Sequence, residues 1–211
     1  MGFPYLSIIV FLPLAGAILL ALWPKLSART VRLFSLSFAL VAFILSIVVF
    51  FLFDRSAGGF QFVQMADWIP SINAHYFLGV DGLGLTMLVL TTLLGLVAVL
   101  VSWGINTRVR EYFCWLLVLE TCLLGVFSSL DLILFPLFSS TELGPMSLLI
   151  SIWGTWRKEY SAMKYLIYTI LGGAMILAGI LLVYFNTGTL DMTQIQLTGT
   201  TPIITTMFFL L

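Results

Sequence analysis

Charged residues are scarce in this sequence. Asp, Glu, Lys and Arg fill 9% of its 211 positions, whereas an ordinary soluble domain carries roughly 25%. Hydrophobic residues fill 61%, so the composition predicts a protein of the lipid bilayer. The nine basic and nine acidic residues cancel, which argues against a nucleic-acid partner.

Motifs for redox or nucleotide chemistry are also lacking. The sequence has no Walker loop, no dinucleotide glycine fingerprint, no cysteine pattern for an iron–sulfur cluster and no histidine pair for haem. Its single histidine, His75, is interpreted as a hydrogen-bonded surface residue in preference to a metal ligand. Its two cysteines, Cys114 and Cys122, share one apolar segment and are interpreted as reduced packing residues. We therefore expect no metal or cofactor in this chain.

Long apolar runs dominate the rest of the sequence. A helix needs about 20 apolar residues to cross a bilayer, and six runs of that size occur, while a seventh begins at Pro202 and stops at Leu211. The predicted fold is all-α, a polytopic transmembrane bundle of six spans and the start of a seventh in a single membrane domain, residues 1–211. The six runs are Phe3 to Trp23, Val31 to Phe53, Leu78 to Trp103, Tyr112 to Ser129, Leu132 to Trp153 and Met163 to Phe185.

Basic residues fall on one side of this predicted bundle. Eight follow or flank runs one, three and five, whereas Arg55 alone lies in a connection of the other kind. The positive-inside rule then places the odd-numbered connections inside and the amino terminus outside. The long connection from Asp54 to Phe77 is therefore predicted to be external. The eight basic residues are Lys25, Arg29, Arg32, Arg108, Arg110, Arg157, Lys158 and Lys164.

Four ionisable residues lie at or near membrane depth. Glu120 is in the fourth run, Glu142 in the fifth, Asp131 at the outer turn between them and Lys164 at the inner end of the sixth. A charge at the bilayer centre costs about 2.5 to 3.5 kcal/mol on insertion scales, so it usually serves a function. Burial favours the neutral form of a carboxyl group and a nearby cation favours the charged form. A buried Glu with a movable Lys partner can therefore exchange a proton, and we hypothesise a proton relay.

Each of these residues also has a structural alternative. Glu120 and Glu142 could be hydrogen-bonded residues that hold helices together. Lys164 could extend to the interface and mark topology, and Asp131 could be a charge at a helix amino terminus. The fifth run also contains Pro136 and Pro145, which lack the amide hydrogen of a helix. This pattern predicts a kinked, hydrated helix beside Glu142.

Three stretches carry a resemblance to a known family. They are WIPSINAHYFLGVDGLGL at 68–85, LVLETCLLGV at 117–126 and IWGTWRKEYSAMKYLIY at 152–168, and in this order they resemble the antiporter-like membrane subunits of respiratory complex I, NADH:quinone oxidoreductase. The resemblance implies proton translocation driven by quinone reduction elsewhere. Flavin, iron–sulfur clusters and quinone would then belong to partner subunits, and the chain would contact other membrane subunits of complex I.

The resemblance leaves other functions open. Multisubunit cation/proton antiporters and membrane hydrogenases contain similar subunits, and a structural subunit that moves no protons is a further alternative. The implied location is an energy-transducing membrane, most simply a bacterial plasma membrane, with a mitochondrial one as the alternative.

The resemblance also assigns site residues. Glu120 matches the family's glutamate of span four, and Lys164 matches the lysine that opens span six. The family's next glutamate precedes a proline by five residues, a slot that Ser140 occupies here, while Glu142 precedes Pro145 by three. A shift of two residues turns a helical side chain by about 200°. Either helix distortion returns Glu142 to the channel, the usual site is altered, or the sequence carries an error there.

Length is the second departure from the family. Family members consist of two inverted repeats, and the lysine at the centre of the first repeat lies in span seven. Residues 1–111 would form spans one to three and residues 112–211 part of the first repeat. We therefore expect an amino-terminal portion of such a subunit, or half of a split one.

Overall fold

The computed structural model describes residues 3–23, 26–54, 56, 58–69, 74–188 and 190–193. Lys25, Arg55 and the seventh apolar run at 202–211 lie outside these residues. The described part is mostly helical and contains one small sheet. Its elements are α1 (Tyr5–Leu22), α2 (Ala28–Leu52), β1 (Gln61–Ile69), β2 (Ala74–Val80), α3 (Gly82–Val101), α4 (Val109–Ser128), α5 (Leu134–Trp153) and α6 (Lys158–Thr187).

Five of the described helices are long and apolar enough to cross a membrane. They are α1, α2, α4, α6 and α3 with the short 3-10 turn that continues it to Gly104. The remaining helix, α5, also has 20 residues and stays helical through Pro145. It is less apolar because Ser139, Ser140, Thr141 and Glu142 lie in its middle.

The prediction of an all-α fold is wrong in the long connection between α2 and α3. Strands β1 and β2 form an antiparallel hairpin there, with Gln61 opposite Val80 and Asp67 opposite His75. The segment is rich in the aromatic and β-branched residues that favour strands, although its aromatic content alone is equally typical of a membrane interface. Pairing the strands satisfies backbone groups that would otherwise lack partners at the end of an apolar bundle.

Helix ends differ from the ends of the apolar runs because polar caps set them. Residues 78–80 belong to β2, and α3 begins at Gly82, where the Asp81 carboxylate accepts a hydrogen bond from the Gly84 amide at 2.6 Å. Helix α2 begins at Ala28, three residues before the apolar run, because the Ser27 hydroxyl accepts from the Thr30 amide at 3.2 Å. Such caps satisfy amides that the first helical turn leaves free.

Helix α4 lies at the centre of the bundle. It packs against α1, α2, α3 and α5, while α6 packs on α5. Phe113, Leu117 and Leu124 of α4 are fully buried. Gly125 faces α5, where a side chain would overlap the ring of Phe138. The close approach of α4 and α5 therefore depends on a glycine.

The hairpin closes one end of the bundle. The Ser7 hydroxyl of α1 donates to Gln64 Oε1 of β1 and shares a 2.9 Å hydrogen bond with the Tyr76 hydroxyl of β2. The Leu130 amide, after α4, donates to the Phe77 carbonyl of β2 at 2.9 Å. These contacts connect the hairpin to both α1 and the α4–α5 turn.

The opposite end contains the connections after α1, α3 and α5. Arg32 Nη2 donates to the Ile105 carbonyl at 2.9 Å and to Asn106 Oδ1 at 2.8 Å, and Trp153 Nε1 donates to the Thr107 carbonyl at 2.8 Å. The described basic residues therefore lie at or near this end. They are Arg29, Arg32, Arg108, Arg110, Arg157, Lys158 and Lys164.

Candidate functional site

Glu120 lies in the interior of the bundle. Its side chain projects from α4 toward α3 and is 5% exposed. It packs against Gly95 of α3 so closely that a methyl group on residue 95 would lie 2.6 Å from the Glu120 carboxyl carbon. Nonbonded carbon atoms prefer about 3.5 to 4.0 Å, so a residue without a side chain is required opposite this carboxyl group.

A cavity of about 310 Å³ lies between α3 and α4, with Glu120 and Gly95 in its wall. Its volume is several times the roughly 30 Å³ that one water molecule occupies in the liquid. The wall is mostly apolar, and Thr91 supplies its one hydroxyl among the described residues. Thr91 donates that hydroxyl to the Met87 carbonyl at 2.8 Å. The cavity is therefore an apolar space with a carboxyl group at its wall.

One oxygen of Glu120 has no hydrogen-bond partner in the described part of the chain. Oε1 is buried and unpaired there. Most buried polar side-chain atoms in proteins have a partner, and the exceptions call for an ordered water or a chemical role. Of the four buried side-chain atoms without a partner in the described part of the chain, this oxygen is the one on an acid group, and it lies beside a cavity.

Glu142 lies on the other side of α4. Its half-buried carboxyl group is in electrostatic range of Cys122 in α4 and Tyr165 in α6. Cys122 follows Glu120 by two residues, about 200° around the helix. Both glutamates are eight residues from the hairpin ends of their helices, about 12 Å at 1.5 Å per residue. The two carboxyl groups thus have similar depths and different faces.

Ser140, which the resemblance predicts to hold the family's usual glutamate position, lies on a third surface. It is exposed and lines grooves between α5 and α6 together with Pro136 and Leu177. Glu142 is not in the described lining of these grooves. Ser140 and Glu142 thus lie on different faces of α5, and the role of either residue stays a prediction.

Lys164 is exposed near the start of α6. Its ammonium group lies 5.8 Å from the centroid of the Tyr168 ring, in cation–π range. Because α6 packs on α5, whereas Glu120 faces α3, the structure does not bring Lys164 and Glu120 together.

Asp131 is 1% exposed and accepts three backbone hydrogen bonds. Oδ1 accepts from the amides of Ile133 and Leu134 at 2.7 and 3.2 Å, and Oδ2 accepts from the His75 amide at 3.0 Å. The carboxylate therefore orders the start of α5 and attaches β2 to it. These contacts favour the helix-terminus alternative, and the relay role of Asp131 stays a prediction.

The other reactive side chains have ordinary environments. His75 Nδ1 lies 3.0 Å from Asp67 Oδ1 across the hairpin. Both cysteines are free thiols, and Cys114 donates to the Ala17 carbonyl at 3.4 Å. Within the described residues, no cluster of three or more His, Cys, Asp or Glu could hold a metal ion.

Gly95 and Thr91 are site residues that the apolar-run reasoning misses. Thr91, Gly95 and Ala98 recur at spacings of four and three along α3, which places them on one helix face. Small residues on one face of a membrane helix indicate close approach of a neighbour. This stripe is the signal that could have identified the α3 partner of Glu120.

The apolar helices and the buried carboxyl group define a polytopic membrane protein. Residues 129–211 match the family described as NADH:quinone oxidoreductase/Mrp antiporter, transmembrane. The chain is 39% identical over 195 residues to NADH-ubiquinone oxidoreductase chain 4 of Arabidopsis thaliana, covering 92% of this chain and 39% of that protein. It is 40% identical over 195 residues to NADH-quinone oxidoreductase subunit M of Rhodobacter capsulatus, covering 90% and 38%.

The fold matches as well. A chain of respiratory complex I from Thermus thermophilus with bound NADH superposes with a TM-score of 0.75 and 24% identity, covering 88% of this chain and 38% of that one. Residues 129–211 therefore belong to the NADH:quinone oxidoreductase/Mrp antiporter membrane family, and this match together with the two relatives confirms the resemblance found in the sequence. The chain spans about two fifths of the length of the curated relatives it matches.

Proposed function

We propose that this chain acts within the membrane arm of a proton-translocating NADH:quinone oxidoreductase, where it contributes buried charged residues to a proton half-channel. The observation that carries the proposal is the unpaired Glu120 Oε1 at the wall of the α3–α4 cavity. The names of the relatives in Arabidopsis and Rhodobacter support the same assignment. Flavin, iron–sulfur clusters and quinone belong to partner subunits, and the chain's own contacts are with other membrane subunits and lipid.

The proposal includes a membrane arrangement. Helix α5 crosses the membrane as the fifth of six spans, residues 202–211 begin a seventh span, and the end with the basic connections faces inside, so that the amino terminus is outside. Residues 1–111 form the first three spans, and residues 112–211 belong to the first antiporter-like repeat. The membrane is a bacterial plasma membrane or another energy-transducing membrane.

In this arrangement the carboxyl groups have distinct roles. Glu120 takes up and releases a proton at the α3–α4 cavity, and Glu142 serves a second position between α4, α5 and α6. Lys164 supplies a cation at the inner end of α6, and this cation alters the proton affinity of Glu142 on α5. Ser140 lacks an acid group, so the usual glutamate position cannot itself bind a proton.

Replacing Glu120 with Gln in the assembled complex tests the proposal. An amide keeps the shape of the side chain but carries no exchangeable acid proton, so proton uptake per electron should fall while assembly stays normal. Glu111→Gln is the matched control, because Glu111 is on the same helix but partly exposed and paired with Arg108 at 3.4 Å. Unchanged proton uptake per electron in the Glu120 variant would contradict a relay role.

A structural subunit that moves no protons is the second candidate. The observation in its favour is that Glu120, Glu142 and Lys164 lie on different surfaces of the bundle. This candidate predicts that E120Q, if it fails at all, fails at assembly.

An antiporter or membrane hydrogenase subunit is the third candidate, since the matching family description includes the Mrp antiporter. Partners decide between it and the first candidate. Flavin together with iron–sulfur absorption in the purified complex favours the quinone oxidoreductase, and the absence of both absorptions favours the antiporter.

A further inference from the structure

We propose that Gly95 is a positioning residue that fixes the carboxyl group of Glu120 at the wall of the α3–α4 cavity. The inference rests on the proposed function, because the position matters for proton transfer. It adds a residue of α3, which carries no titratable group at this site, to a function that composition and charge assign to acids and lysines.

The geometry of the contact supports this role. A methyl group on residue 95 would lie 2.6 Å from Glu120 Cδ, and 2.7 and 2.9 Å from its two carboxyl oxygens. All three atoms of the carboxyl group therefore lie inside the volume that any other side chain would fill. The group could tolerate a larger residue at 95 only by turning away from α3.

The cavity wall shows what turning away would change. Thr91, Gly95 and Ala98 form the small-residue face of α3, and this face and Glu120 border the same space. A carboxyl group displaced from α3 would leave that wall. Displacement would also break no hydrogen bond of Oε1, because Oε1 has no partner in the described part of the chain. The contact with Gly95 is thus the constraint that the structure shows on this group.

Gly95→Ala in the full complex is the test, with two readouts. The first is the rate of proton uptake during quinone reduction in vesicles, which we expect to fall about tenfold, since misplacement of a reacting group by 1 Å can cost on the order of 100-fold. The second is the infrared carboxyl stretching band that disappears in E120Q. This band should shift in G95A because the surroundings of the carboxyl group change.

Rescue separates positioning from general damage. Glu120→Asp withdraws the carboxyl group by one carbon–carbon bond, so the double variant G95A/E120D should transfer protons faster than either G95A or E120D alone. If G95A does not assemble, recovery of assembly in the double variant supports the proposal, and failure to recover overturns it.

Two other glycines serve as controls. Gly82 is on the same helix with nothing within 4 Å of an added methyl group, so G82A should match the unmodified complex. Gly125 is on α4 and tightly packed against Phe138, so G125A should lower stability without shifting the Glu120 band. Rescue of G125A by E120D would show that the rescue is nonspecific and would overturn the proposal.

The outcomes also separate this inference from the proposed function. If E120Q loses proton uptake but G95A keeps both normal uptake and an unshifted band, the positioning role alone is wrong. If E120Q pumps normally, the proposed function fails, and an unshifted band in G95A would overturn the positioning claim as well. If E120Q pumps normally but the band shifts in G95A, the proposed function alone is wrong, and Gly95 still positions the carboxyl group.

Discussion

Asp131→Ala tests whether this buried acid organises the hairpin end of the bundle. The carboxylate accepts from the amides of Ile133 and Leu134 at the start of α5 and from the His75 amide in β2. Loss of a capping side chain costs typically about 1 kcal/mol, and a half-buried amide left without a partner costs about 1 to 3 kcal/mol. The expected loss of stability at this junction is therefore about 2 to 4 kcal/mol.

Amide hydrogen exchange in the detergent-solubilised protein measures this loss directly. Because 1.4 kcal/mol corresponds to a factor of ten, the amides of His75, Ile133 and Leu134 should exchange about 30- to 700-fold faster in D131A. Asp131→Asn keeps one carbonyl acceptor and should give a smaller acceleration. Unchanged exchange in D131A would refute the reasoning. A second result would also refute it: a D131N variant whose amides exchange normally but which no longer translocates protons. The acid proton of Asp131, and not its hydrogen bonds, would then be the essential feature.

Two further substitutions test the two ends of the bundle. Arg32→Lys keeps the charge but loses the paired contacts with the Ile105 carbonyl and Asn106, so we expect a loss of about 1 kcal/mol in denaturant unfolding, whereas Arg29→Lys, at an exposed position, should change nothing. Burial raises the pKa of Tyr76 above its usual 10.0, and its hydrogen bond with Ser7 offsets part of this rise. The neutral phenol therefore stabilises the fold below pH 10, and this contribution is lost as the pH rises through the higher pKa of the folded state. Tyr76→Phe should remove that alkaline loss, and an identical alkaline profile in both proteins would contradict the buried environment.

The helices could be predicted from the sequence because an apolar environment leaves few choices. A backbone that crosses lipid must satisfy its own hydrogen bonds, so a long apolar run becomes a helix. The burial of Glu120 follows from its place in such a run. The helix ends were displaced because Asp81 and Ser27 cap helices at positions that hydropathy does not register.

The hairpin and the facing of the site depend on tertiary contacts. Strand β1 pairs with β2 and is held by Ser7 of α1, a residue more than fifty positions away. Glu120 and Glu142 could be assigned similar depths from their helix positions, but their facing depends on which neighbours α4 and α5 contact. The spacing of Thr91, Gly95 and Ala98 marks a face of α3 that a neighbouring helix can approach closely, but the contact of Gly95 with Glu120 itself depends on how α3 and α4 pack.

The most direct test of the central claim is a high-resolution density map of the assembled enzyme around Glu120. If this carboxyl group passes protons, an ordered water or another titratable group should lie within about 3.2 Å of Oε1, hydrogen-bond distance, in the α3–α4 cavity. A cavity filled by lipid chains or apolar side chains, with Oε1 in dry contact on every side, would contradict the account.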